Sequence, residues 1–167
     1  SMIIVNALWI NRIASVTLAL CSSFLLQNVS AQQSVDFKTE AEVKSEIAKL
    51  NSNDEQTRYQ SLYKLIDYAS PELFRVGSVF FLTEHPDWVN AAADAVRKRS
   101  RDEKTLSYCL SHGNRLAKKW AIRNSPEGKL IPQLTELAIS DPDNSVRIAA
   151  LGKIPLPLQQ KVRDLLR

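Results

Sequence analysis

Cys109 and His112 are the only close Cys/His pair in the chain, three positions apart. On a helix that spacing puts a thiol and an imidazole one turn apart. Such a pair could form an activated thiolate or supply two ligands to a metal. The second histidine, His85, lies far from Cys109 in the sequence, and zinc needs three or four ligands. His112 precedes Gly113, the signature of a helix C-terminus, where a partly charged imidazole suits the dipole. No strand-turn-helix elbow of the G-x-S-x-G type is present, and nothing supplies an oxyanion hole. The adjacent carboxylates Asp102 and Glu103 are explained by a helix start. Trp88, Trp120, Phe80 and Phe81 read as core. The residues therefore predict no catalytic group, no metal and no cofactor.

The strongest pattern with binding chemistry is cationic. Arg115, Lys119 and Arg123 recur at i, i+4 and i+8 and share one helix face. From Asn114 to Ser125 there are four basic residues and no acid. These cations need an element to carry them and neighbours to frame them.

The chain has 167 residues, 22 basic and 18 acidic, a net charge of +4, 44% apolar content and only four glycines. That suffices for one domain with a tail and exceeds what a disordered chain would bury. Two cysteines do not make a disulfide framework, and four glycines leave no room for Gly-rich phosphate loops.

The segment up to Ala31 stands apart. It carries one charge, Arg12, followed by an apolar run from Ile13 to Leu26 and by Val29-Ser30-Ala31. This is the pattern of a secretory signal peptide cut after Ala31, which predicts a periplasmic or secreted protein. The competing reading is an uncleaved anchor over Ile3 to Leu26, long enough to span a bilayer. Arg12 opposes it, since a charge near mid-bilayer costs about 2.5–3.5 kcal/mol. Leu20 before Cys21 opposes a lipoprotein. Without this segment the net charge is +3 and Cys109 is the one remaining cysteine, expected to be buried among Leu106, Tyr108 and Leu110. Gln32 to Lys38 is expected to be a flexible linker, and 39–167 the folded domain.

Beyond the linker the pattern is helical and repetitive. Thr39-x-x-Glu42 and Ser100-x-x-Glu103 read as capping boxes. Ser70-Pro71-Glu72 and Ser125-Pro126-Glu127 read as serine caps with proline in the first turn. These four sites open the expected A helices. Asp54, His85, Asn114 and Asp143 open the B helices. Three positions after each come Thr57, Trp88, Ala117 and Val146, at nearly equal intervals along the chain. Four further on stand the small residues Ser61, Ala92, Ala121 and Ala150, and then Leu65, Val96, Ser125 and Ile154, where Ser125 is the poor match. About four helical hairpins follow, none able to bury its apolar face alone. Pro155 and Pro157 end the last one. Leu158, Val162, Leu165 and Leu166 then mark a capping helix.

Repeat four, with Leu130-Ile131-Pro132-Gln133-Leu134, Asp141-Pro142-Asp143-Asn144-Ser145-Val146-Arg147 and Ala149-Ala150-Leu151, resembles the HEAT-repeat pattern. The short period is similar to that of the PBS-lyase-type HEAT-like repeats. His85-Pro86-Asp87-Trp88 with Ala91-Ala92-Ala93 is a fair second match, and the resemblance covers roughly positions 39–155. It implies a short all-α solenoid with B helices lining the concave face. It also implies a ladder of polar contacts between repeats from the position after each anchor; here that position holds Arg58, Val89, Lys118 and Arg147, so the ladder is expected to be broken at repeat two. Members are mostly binding scaffolds, and a few are lyases for bilin attachment.

Charge sorts by helix. The expected A helices of repeats two to four each sum to −1. The B helices carry +2, +4 and +2, and the terminal helix +2. The expected function is a non-catalytic binding or scaffold module with a basic concave groove formed by Arg97, Arg115, Lys118, Lys119, Arg123 and Arg147. An acidic protein partner fits first, then an anionic envelope lipid or glycan. Export argues against nucleic acid. The alternatives are a HEAT-like lyase or chromophore-handling enzyme, and a membrane-tethered structural subunit of an envelope complex.

Overall fold

The computed structural model describes residues 35–74 and 85–167. The leader and its cleavage site, the part of the second A helix beyond position 74, and Phe80 and Phe81 lie outside the described residues. Among those described the fold is all-helical, with eight helices: α1 (Glu40–Lys49), α2 (Glu55–Phe74), α3 (Pro86–Arg99), α4 (Glu103–His112), α5 (Arg115–Asn124), α6 (Ile131–Ser140), α7 (Asn144–Lys153) and α8 (Leu156–Leu165). None of them is long and apolar enough to cross a membrane.

All four expected B-helix starts are helix starts. Asp54 Oδ2 accepts from the Thr57 N–H at 2.8 Å, and Asn114 Oδ1 from the Ala117 N–H at 2.9 Å. Asp143 Oδ1 accepts from the Ser145 and Val146 N–H groups at 2.8 and 3.2 Å. Each satisfies an otherwise orphaned donor of the first turn. His85 forms no side-chain cap; its ring stacks on Trp88, centroids 3.7 Å apart.

The A-helix starts need correction at three of four sites. Thr39 does cap α1, accepting from the Glu42 N–H, but the Glu42 carboxylate returns to the Lys38 N–H, one position earlier than a capping box requires. Ser70 and Pro71 lie inside α2, which continues to Phe74. Ser100 ends α3, with Oγ donating to the Arg97 carbonyl at 2.7 Å, and Asp102 caps α4 instead. Ser125 ends α5 and donates to the Ala121 carbonyl at 2.7 Å. α6 begins only after Leu130, whose φ of 56° is left-handed. A serine at a helix end can bond backwards to a carbonyl as readily as forwards to an N–H. Sequence spacing alone does not choose between them.

The B-helix register is reproduced in the packing. Ser61, Ala92, Ala121 and Ala150 are all buried, and so are Leu65, Val96, Ser125 and Ile154. The poor match at Ser125 is resolved by its bond to Ala121. A hydroxyl with an internal acceptor can occupy a core site without the penalty of an unpaired polar group. A structural device recurs in the same register. Arg58 Nη1 donates to the carbonyls of Ser52 and Asn53 at 2.7 and 3.1 Å. Arg147 Nη1 does the same to Asp141 and Pro142, at 2.7 and 3.3 Å. Both arginines therefore clamp their own interhelical turn. Of the four expected ladder positions, Lys118 reaches the following hairpin, while Val89 is buried.

Neighbour order departs from a simple queue. α4 with α5 and α6 with α7 form hairpins. α5 lies against α7, α4 against α6, and α8 against α6 and α7. At the other end α1, α2 and α3 pack on one another, and it is α2, not α3, that adjoins α5. The B helices thus run in the order α3, α2, α5, α7. α2 is twice as long as most of the others because it runs through Ser70 and Pro71, so it offers sides to both neighbours. α3 contributes the small pair Ala92 and Ala93 to the core, which permits close approach to α2. In the segment expected to be a linker, the Val35 N–H donates to Asp67 Oδ2 at 2.8 Å and Phe37 packs edge-on against Tyr68.

One buried charge ties α1 to α2. Glu46 accepts from the Ser61 hydroxyl at 2.8 Å and from Lys49 at 3.0 Å, with Lys64 at 3.7 Å. Burial alone would raise its carboxyl. The hydrogen bonds from Lys49 and Ser61, with the ammonium charges of Lys64 and Lys49, together outweigh burial and hold it below its ordinary value of 4.5. A depressed folded-state value means that Glu46 contributes stability above its ordinary value, and that this is lost as pH falls through the lower folded-state value. Urea midpoints measured from pH 6 down to pH 3 are expected to fall less steeply in Glu46→Gln than in the parent chain. Parallel curves would refute a stabilising role for this carboxylate.

Candidate functional site

α5 is amphipathic in a way that fixes its orientation. Ala117 and Ala121 are buried, with Trp120 and Ile122 buried on either flank, so the face opposite the two alanines carries Arg115, Lys119 and Arg123. α7 lies beside it, running in the same direction. At one end Lys118 Nζ meets Asp141 Oδ2 at 2.6 Å and Arg115 Nε stands 4.0 Å from Asp143 Oδ2. At the other, Lys153 Nζ donates to the Arg123 carbonyl at 3.3 Å. These contacts hold α7 level with α5, end to end.

The six expected groove residues divide into three groups. Arg115, Lys119 and Arg123 form an outward-facing stripe, with Arg115 and Arg123 exposed and Lys119 half-buried between them. Lys118 and Arg147 are in the fold itself. Lys118 is one side of a largely buried ion pair with Asp141, their side chains 18% and 2% exposed. Arg147 holds the Asp141 and Pro142 carbonyls and also donates to Asn144 Oδ1 at 3.1 Å. Arg97 sits on α3 beside Asp94, at 2.7 Å, with α2 between it and the α5–α7 pair. The structure thus gathers five of the six on two adjacent helices and leaves three of those five on the outer stripe.

Asp141 organises this region, and its role was not evident from the sequence. Besides Lys118, its carboxylate accepts from the Asp143 N–H at 2.9 Å, an Asx turn that sets up the Asp143 cap. The Ser140-Asp141-Pro142-Asp143 run carried the turn signal. Its partner across the fold is Lys118 on α5, one of the four expected ladder positions. The hydrogen bonds from Ser145, first, and from the Val146 and Ser145 N–H groups, with the Arg115 charge, outweigh a small burial effect and lower the Asp143 carboxyl. Asp143 therefore stays charged beside Arg115 and tempers that end of the stripe.

No family model, no curated protein and no solved structure matches this chain.

Cys109 and His112 part company. Cys109 is buried, and burial pushes its thiol up to about 12, so near neutrality it is not a thiolate. His112 is exposed and its ring stacks on Tyr108, which in turn stacks on Tyr59 of α2, centroids 4.4 and 3.6 Å apart. Tyr108 and His112 are an i, i+4 pair that spacing could have revealed; Tyr59 was not foreseeable. Among the described residues no three His, Cys, Asp or Glu side chains converge. An aromatic disulfide reagent at pH 8 is expected to leave Cys109 unmodified in the folded protein and to react within minutes in 6 M guanidinium. Fast reaction without denaturant would restore Cys109 as a nucleophile.

Proposed function

We propose that this protein is an exported, non-catalytic binding or scaffold module. In this reading the α4–α5 and α6–α7 hairpins form a short HEAT-like stack, and the α5–α7 surface receives an acidic protein partner. The observation that carries the proposal is the division of the cations. Lys118 and Arg147 hold the fold together from within, whereas Arg115, Lys119 and Arg123 lie on the outward face with like charge at each helical turn. Cations about 6 Å apart along a helix create a positive potential that attracts carboxylates and is screened by salt. Fluorescence anisotropy with labelled polyglutamate tests it. Affinity should fall at least tenfold between 50 and 300 mM salt, and also in the triple variant Arg115→Glu, Lys119→Glu, Arg123→Glu, whose circular dichroism stays unchanged. Salt-independent binding, or a triple variant that binds as the parent does, refutes it.

A further inference from the structure

The stripe on α5 has a neighbour of different chemistry. With the two helices level, Arg115, Lys119 and Arg123 correspond on α7 to Asn144, Ile148 and Gly152. Where α5 carries Lys119, α7 shows an isoleucine that is 63% exposed. One turn further on, a Cβ placed on the exposed Gly152 would meet nothing within 4 Å. A cationic row therefore runs beside an apolar side chain and an open step. An exposed isoleucine by itself needs no explanation. One held level with three cations, by contacts at both ends of the helix pair, defines a two-part surface.

We propose that the occupant of this surface is an acidic amphipathic helix of a partner protein. Its carboxylates at i, i+4 and i+8 face Arg115, Lys119 and Arg123, and an aliphatic side chain on its adjoining face rests on Ile148 beside Gly152. This rests on the acidic-partner reading above and adds the partner's conformation and its apolar contact. Two helices share the same rise per residue, so a helical partner matches all three cations with one side-chain spacing. Apolar anchors beside a charged row are the usual grammar of helix-in-groove recognition. Two further charged groups flank the row: Asp143, 4.0 Å from Arg115, and Lys153 at the Arg123 carbonyl. Asp143 offsets part of the Arg115 charge, and Lys153 adds a cation at the other end.

The test uses the full chain and three synthetic helical peptides about four turns long. The first carries Glu at i, i+4 and i+8 with Leu on the adjoining face. The second replaces Leu by Ser. The third keeps the composition but scrambles the Glu spacing. The first should bind about tenfold tighter than the second and the third. Ile148→Ser should lower affinity for the first peptide about tenfold and leave the second unchanged, with the same salt dependence in both proteins. If Ile148→Ser binds all peptides as the parent does while salt still weakens binding, the amphipathic-helix proposal fails and the charged surface stands. If no acidic peptide binds in a salt-dependent way, the underlying reading fails with it.

Discussion

Asp141→Ala is expected to destabilise the fold by about 3–5 kcal/mol. That is the range for removing one partner from a buried ion pair, and a large share of the roughly 5–15 kcal/mol that holds a domain of this size. Three interactions depend on this residue's position: the Lys118 ammonium on its carboxylate, the Asp143 N–H on its other oxygen, and the Arg147 clamp on its carbonyl. Alanine removes the first two and leaves the Lys118 ammonium, only 18% exposed, without its counter-charge. The double variant Lys118→Met, Asp141→Asn should recover much of the loss, because asparagine keeps an acceptor for Asp143 and the stranded charge is gone. Chemical denaturation of the two variants and the parent decides the matter. An Asp141→Ala loss below about 1 kcal/mol, the size of an exposed ion pair, would mean that Lys118 is a surface cation after all.

Trp120→Ala should cost about 3–5 kcal/mol, the usual range for an aromatic truncated in a packed core. Its neighbour Lys119→Ala should stay within about 0.5 kcal/mol. The contrast matters more than either value. Trp120 is among the largest fully buried side chains, and it lies on the flank of α5, about 100° around the helix from Lys119. If thermal unfolding gave similar losses for Trp120→Ala and Lys119→Ala, α5 would be rotated from the orientation on which the binding surface depends.

The helix starts at Asp54, Asn114 and Asp143 were legible because an N-cap is local chemistry: a side-chain oxygen and an N–H two or three positions on. The small residues at 61, 92, 121 and 150 were legible because helical periodicity exposes a buried face. Ser70, Ser100 and Ser125 misled for a related reason. A serine has a donor as well as an acceptor, and at a helix end it can close the helix behind it. At Ser70 and Pro71 the helix simply continues. The cationic stripe itself was plain in the spacing of Arg115, Lys119 and Arg123. Which cations stay on the surface was not, since that depends on Asp141, which lies on the next hairpin from Lys118. Nor could spacing show that α2 stands between α3 and α5, which separates Arg97 from the rest. The repeat period sets which face of each helix is buried and says nothing about which helix comes next to it.

The binding surface can be located directly by titrating the ¹⁵N-labelled protein with an acidic helical peptide at low salt and following its backbone amide resonances. Shifts concentrated on positions 115–124 and 144–153, and abolished by Lys119→Glu with Arg123→Glu, are the predicted result. Shifts that leave α5 and α7 untouched and gather on α1 or α8 would contradict the account.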